Sequence, residues 1–323
     1  MPRIVQADRQ GIEKAVAILR ADGVVAFPTE TVYGLGADTF NVQSVEQVYL
    51  LKGRPDDNPL IAHVSDVSTA KSLVETWDEW AQLLAQRFWP GPLTMVLPKA
   101  AIVPAQATAG LETIALRCPD HPVALELLRA FGGALSAPSA NRSGRISSTT
   151  ASHVAADFAR VEDLLILDGG SCDVGVESTV LDLTSSMATI LRPGRVGLAE
   201  LQDVIGEVKS PQIESQASSP GTSLAHYAPS TTTYLVESNR LASKLESMTD
   251  SVVVLCFDAT SIHPPRIAIP MPRDAEAYAQ TLYDALREAD AKGGEAIVIE
   301  QPSETSGLWS AIQDRLKRAS CDS

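Results

Sequence analysis

The chain has 323 residues, of which 45% are apolar and 20% charged, the balance of a globular protein with a sizeable core. Asp and Glu number 40 and Lys and Arg 26, so the formal net charge is −14, which argues against broad, charge-driven binding of nucleic acid. No apolar run approaches the ~18 residues of a membrane-spanning helix. The N-terminal stretch MPRIVQADRQGIEKAV also lacks the apolar core of a secretory signal. Cys118, Cys172, Cys256 and Cys321 are far apart and form no CxxC pair, so a reduced, cytoplasmic protein is expected. Length alone suggests two domains.

In chain order, Ile12, Ala15, Val16 and Leu19 recur at helical spacing, and Gly23 stops that helix. VVAFPT (24–29) reads as a short buried strand. A helix is predicted over Ser44–Leu51, with Ser44 as N-cap and Glu46 in its first turn. PLIAHV, LTMVLP, TIALRC, ALSAPS, LLILDG, STVLDL and ATILRP are further predicted strands, with helices near 68–86, 121–131 and 150–158. Interleaved strands and helices indicate an α/β domain over residues 1–205. Several strands follow one another directly, so a mixed sheet is expected. Residues 215–231 contain no Asp, Glu, Lys or Arg and are rich in Ser, Pro, Ala and Gly, which marks a linker within 206–230. Over 231–323, the strands TTYLVE, SVVVLCF and EAIVIEQ and the helices Ala275–Asp290 and Leu308–Ala319 predict a second, smaller α/β domain.

The chain has no GxxxxGK[ST], no GxGxxG after a strand, no GxSxG and no HExxH. A P-loop, a dinucleotide fold, a hydrolase triad or a zinc site would each lack its usual signature. Four groups of residues at strand ends concentrate chemistry instead. FPTETVYGLG (27–36) runs a strand into hydroxyls and glycines, which either ends the strand or lets backbone approach a ligand. LKGRPDDNPL (51–60) sets Lys52 and Arg54 around Gly53; such cations complement a helix end or aim at one anion. LSAPSANRSG (135–144) is a solvated loop or an amide-rich nucleotide site. Arg117 follows the strand TIAL, Ser178-Thr179 follow Val176-Glu177, and Arg192-Pro193-Gly194 follow ATIL. Several cationic segments in an acidic protein point to an anionic ligand, and spacing alone takes the reading to a phosphorylated or carboxylated small molecule.

In series, PTETVYGLG (28–36), KGRPDDNPL (52–60), WPGPLT (89–94), LRCPDHP (116–122), SAPSANRSG (136–144), ESTV (177–180) and LRPG (191–194) resemble the YrdC-like family of threonylcarbamoyl-adenylate synthases. Its paired KxR and SxN signatures match Lys52/Arg54 and Ser139/Asn141. SPGTSLAHYAP (219–229) and GLWSAIQDRLKRA (307–319) resemble the linker and C-terminal helix of the longer, two-domain form. The resemblance implies a YrdC-like domain with a twisted mixed sheet and helices, then a linker and a smaller Rossmann-like α/β domain. It implies a nucleotidyltransferase that converts L-threonine, bicarbonate or CO2, and ATP into threonylcarbamoyl-AMP and pyrophosphate. That is the first step of N6-threonylcarbamoyladenosine formation in tRNAs reading ANN codons, completed by downstream transferase proteins.

The same resemblance implies site roles. Lys52 and Arg54 are the catalytic cations. Arg54, Asn58, Thr113, Ser139, Asn141, Ser147, Arg192 and Tyr227 bind ATP. Thr31, His63, Arg117, Ser178 and the Ala137 backbone bind L-threonine, with Arg117 on its carboxylate, which a guanidinium can hold bidentately. Mg2+ accompanies ATP with no assigned protein ligand. No strong direct nucleic-acid binding and no membrane contact are expected. Residues 219–229 are expected to close over the pocket and keep water from a hydrolysable anhydride. The competing readings are a nucleic-acid module, an ATP-binding regulator without turnover, and a related carbamoyltransferase with another acceptor.

Overall fold

The computed structural model describes residues 1–210 and 227–320. In chain order the first part forms β1 (Arg3–Gln6), α1 (Arg9–Arg20), β2 (Val25–Phe27), β3 (Gly34–Asp38), α2 (Val42–Lys52), β4 (Ile61–His63), α3 (Val67–Lys71), α4 (Glu79–Phe88), β5 (Leu93–Pro98), β6 (Thr113–Arg117), α5 (Pro122–Phe131), β7 (Leu135–Ser136), α6 (Ala151–Asp157), β8 (Leu165–Asp168), β9 (Thr179–Asp182), β10 (Ala188–Arg192), α7 (Leu198–Ile205) and β11 (Val208–Lys209). The second part forms β12 (Thr233–Glu237), α8 (Leu241–Glu246), β13 (Val252–Cys256), β14 (Ile267–Pro270), α9 (Ala275–Ala291), β15 (Ala296–Gln301) and α10 (Leu308–Ala319).

Local chemistry explains most helix starts. Asp8, Asp66, Asp78 and Asp274 each accept a backbone N–H three residues on, so each begins a helix at the following residue. Asp78 restarts the helix after a break at Ser72, so the single helix expected near 68–86 is α3 and α4. The expected Ser44 cap is corrected to Asn41, whose side chain accepts from the Ser44 N–H. Asn41 is extended and caps three residues sooner than expected, while the Ser44 hydroxyl donates to the Asp22 carbonyl at 3.0 Å. Glu46 therefore lies past the first turn.

Eleven strands join one mixed sheet in the order β1-β8-β2-β3-β7-β4-β6-β5-β9-β10-β11. β2–β3, β3–β7, β4–β7, β5–β6 and β9–β10 pair antiparallel, and the remaining neighbours pair parallel. One end of the sheet is covered on one face by α1 and α5, through Ile12, Leu19, Leu127 and Leu128 against Phe27 and Leu167. α2 and α6 bring Val45, Val48 and Val154 to Leu35 and Ile166 in a separate cluster. α4 and α7 pack with Met95, Leu97 and Leu116 at the other end.

Strands β12, β15, β13 and β14 form a second, all-parallel sheet in that order. One face packs α9 and α10 and the other packs α8, so β13 is buried along its whole length. Val32, Ile146 and Val176 of the first part lie in the same core cluster as Tyr278, Tyr283 and Ile312 of α9 and α10. The two sheets therefore share a packed interface. Gly175 shows how close it is: its φ is 77°, and a Cβ there would stand 2.3 Å from the Ala279 carbonyl oxygen. The expected covering segment falls partly outside the described residues, which include only its Tyr227, Ala228 and Pro229. Among the described residues, no helix is long and apolar enough to cross a membrane.

Candidate active site

The pocket forms where β2, β4, β6, β7 and β10 end. Thr31, Arg54, His63, Arg117, Ala137, Ser139, Ser178, Arg192 and Tyr227 line it, together with Thr29, Val32, Tyr33, Gly34, Ile61, Pro138 and Glu177. Strand pairing explains much of this convergence. His63 faces Arg117 across the β4–β6 ladder, and Gly34 bridges to Ser139. The turn after β10 closes onto the start of β9 so tightly that a Cβ on Gly194 would lie 2.2 Å from the Thr179 nitrogen.

Three buried arginines face this space. Arg54 donates from Nε to the Asn58 carbonyl and from Nη2 to the Asn58 side chain and the Pro59 carbonyl. Its Nη1 has no hydrogen-bond partner among the described residues. Burial lowers the Arg54 pKa to about 10, and Arg192 adds to that shift. Arg192 donates to the Ser178 carbonyl and hydroxyl at 3.0 and 3.2 Å, and burial lowers its pKa as well. Arg117 donates from Nη1 to the Thr31 hydroxyl at 2.8 Å, while its Nη2 lies 2.7 Å from Glu30 Oε1. Cations buried close together gain from a nearby negative charge.

The hydroxyls around them are aligned. Thr29 and Thr31 share a hydrogen bond of 2.9 Å, and Ser178 and Thr94 share one of 2.8 Å. The Ala137 N–H is taken by the Ile61 carbonyl. His63 Nδ1 lies 3.1 Å from the Ile61 carbonyl, which assigns the proton to Nδ1 and leaves Nε2 as an acceptor. Burial, then the neighbouring Arg117, brings the His63 pKa to about 3. The ring is therefore neutral at physiological pH. The ring-carbon NMR signal of His63 should stay flat between about pH 5 and 8, where an unperturbed histidine titrates; a transition near the ordinary value would overturn this.

The other expected site residues stand elsewhere. Lys52 does not line the pocket: its ammonium donates to the Ser139 and Asn141 carbonyls, both at 2.6 Å. It lies beneath the 139–141 loop, where burial and then Arg54 push its pKa well down. Asn141 braces the same loop, donating to the Arg142 and Arg145 carbonyls at 2.8 Å, and its Oδ1 is buried without a partner among the described residues. Asn58 orients Arg54. Ser147 donates to Glu177 at 2.5 Å. Thr113 opens β6, at the end of the strand opposite Arg117.

The sequence reading assigned no role to Glu30, Glu177, Tyr283 or Arg315. Glu30 was visible inside the PTETVYGLG motif, but its partner Arg117 is distant in sequence. Glu177 precedes Ser178 and meets Arg315 of α10 at 2.8 Å and the Tyr283 hydroxyl at 2.9 Å. Only the three-dimensional arrangement brings these groups together.

Comparison with known proteins shows the family. A family model described as "Telomere recombination" matches residues 17–194, and one described as "Threonylcarbamoyl-AMP synthase, C-terminal domain" matches residues 196–321. The threonylcarbamoyl-AMP synthase of Pyrococcus abyssi is 40% identical, over 96% of this chain and 94% of that protein. That of Bacillus subtilis is 41% identical, over 95% and 92%. The crystal structure of P. abyssi Sua5 complexed with L-threonine superposes with a TM-score of 0.89 at 38% identity, covering 99% of this chain and 97% of that one. The chain thus belongs to the threonylcarbamoyl-AMP synthase family, in the long form that carries the additional C-terminal domain.

Proposed function

We propose that this enzyme is a nucleotidyltransferase that makes threonylcarbamoyl-AMP from L-threonine, CO2 or bicarbonate, and ATP, releasing pyrophosphate. The supporting observation is the convergence of Arg54, Arg117 and Arg192 on one pocket. The reaction brings a carbamate anion to a triphosphate, and fixed cations offset that repulsion. The threonine amine adds to the carbon of CO2 and loses a proton, giving the carbamate. A carbamate oxygen then attacks the α-phosphorus, the bond to the bridging oxygen breaks, and pyrophosphate leaves.

In this reading Arg117 holds the threonine carboxylate, with Thr31, Ser178, neutral His63 and the Ala137 backbone around the rest of the amino acid. Arg54 and Arg192 face the phosphates, with Ser139 beside them. Tyr227 completes the nucleotide side of the lining, and Ser147 supports it from behind through Glu177. Asn58 fixes the Arg54 fork, while Lys52 and Asn141 act through the 139–141 loop rather than on the substrate. Glu177 is the one carboxylate in the described lining and is already paired with Arg315. Mg2+ would therefore be carried by the phosphates and neutralise part of their charge. Residues 1–205 are read as the catalytic domain, 206–230 as the linker and 231–323 as the second domain. The setting is cytoplasmic, and the product passes to transferase proteins that modify tRNA.

The direct test is pyrophosphate release with Mg2+, ATP, bicarbonate and each amino acid in turn. Release should require both threonine and bicarbonate. Release with a different amino acid would change the substrate assignment, and none with ATP still bound would leave a binding protein.

A further inference from the structure

The pocket contains a negative charge that its proposed substrates do not need. Glu177 lines it, is 5% exposed, and stands among the residues read as the nucleotide side. A buried carboxylate beside a triphosphate opposes binding unless something cancels it. Two groups from the second sheet's helices meet it. Arg315 of α10 is fully buried and donates from Nε to Glu177 Oε2 at 2.8 Å. The Tyr283 hydroxyl of α9 donates to the same oxygen at 2.9 Å. On the other side, Ser147 donates to Oε1.

Arg315 also touches two further parts of the wall. Its Nη2 donates to the Pro193 carbonyl at 3.0 Å, next to Arg192, and its guanidinium lies 5.3 Å from the Tyr227 ring centroid. Its Nη1 pairs with Asp314 at 2.5 Å. One side chain of the last helix thus joins the 177, 193 and 227 segments. Burial pushes the Glu177 carboxyl up, but Arg315, Arg192 and Ser147 outweigh it and hold the pKa at about 2. The carboxylate stays ionised at neutral pH and needs its counter-charge.

We propose that Arg315 is a positioning residue for the nucleotide side of the pocket, cancelling the Glu177 charge so that the C-terminal domain makes the wall compatible with a triphosphate. The inference rests on the reading that this pocket binds ATP. It gives the C-terminal domain an electrostatic task in addition to its packing.

The test is Mg·ATP affinity by calorimetry on the full chain, with threonine affinity and melting temperature measured alongside. Arg315→Met should weaken ATP binding about 30-fold, the size of one uncancelled unit charge acting over roughly 8 Å at an effective dielectric of about 20. Threonine affinity should change far less. Adding Glu177→Gln to Arg315→Met removes the charge that Arg315 cancels, and ATP affinity should return to within about threefold of the unmodified enzyme. A purely structural role predicts no such rescue. Glu177→Gln alone, which keeps size and hydrogen-bonding groups, should bind ATP more tightly than the unmodified enzyme. If Arg315→Met does not fold, the double and single variants carry the test. A folded Arg315→Met with unchanged ATP affinity, a folded double variant that stays weak, or a Glu177→Gln that binds no more tightly would each overturn the proposal. Absence of ATP binding by the unmodified enzyme would instead remove the reading on which it rests.

Discussion

Arg54→Ala should lower turnover by a barrier increase of about 2–4 kcal/mol, the typical cost of losing one preorganised electrostatic group. The structure sharpens this expectation. Nε and Nη2 of Arg54 are anchored by Asn58 and Pro59, so the guanidinium is fixed before any ligand arrives. Its remaining nitrogen, Nη1, is without a hydrogen-bond partner among the described residues. A preorganised donor loses little on binding and acts mainly where charge develops. The loss should therefore appear mostly in kcat, with the ATP KM moving less. Arg54→Lys should recover only part of it, because an ammonium cannot reproduce the anchored planar fork. Turnover that survives Arg54→Ala would take this residue out of the chemistry.

Arg117→Ala should chiefly weaken threonine binding. A charge-assisted hydrogen bond contributes about 1.5–3 kcal/mol, so the threonine KM should rise roughly 10- to 150-fold with the ATP KM little changed. Glu30 complicates the variant in a predictable way. Its carboxylate is buried against Arg117 and has no hydrogen bond among the described residues. Deleting the arginine leaves that charge uncompensated, and breaking such a pair costs about 3–5 kcal/mol of stability. Arg117→Ala combined with Glu30→Gln should regain much of the melting temperature while threonine binding stays weak. Steady-state kinetics and a thermal melt on both variants separate the two effects. A fall in ATP affinity with threonine affinity intact would move Arg117 to the other substrate.

How much of this was legible in the sequence follows from the range of each interaction. Periodicity and composition located most strands of the large sheet and both long helices of the second part, because those signals lie within a few residues. β3 was not among the expected strands: its glycines carry little strand propensity, and it is pairing with β2 and β7 that makes it a strand. β1, β11, β14 and α8 are short and depend on neighbours in the same way. The Asn41 cap was missed because Asn and Ser cap equally well, and backbone geometry chose between them. Within the pocket, the ordered motifs located the arginines and hydroxyls. They could not show that Lys52 points under the 139–141 loop, since a lysine toward a phosphate and a lysine toward two carbonyls read alike. Glu177, Tyr283 and Arg315 stayed hidden for a stronger reason. Charge complementarity across 138 positions leaves no local pattern.

That separation also sets an order of completion during synthesis. At about 5–20 residues per second, roughly 7–28 s pass between the making of residue 177 and residue 315. The whole eleven-stranded sheet, which ends at Lys209, exists well before that. A chain cut short before residue 315 therefore has every strand of the large sheet and a pocket wall whose Glu177 lacks this guanidinium. On the role proposed for Arg315, the counter-charge of Glu177 is therefore among the last parts of the chain to be made.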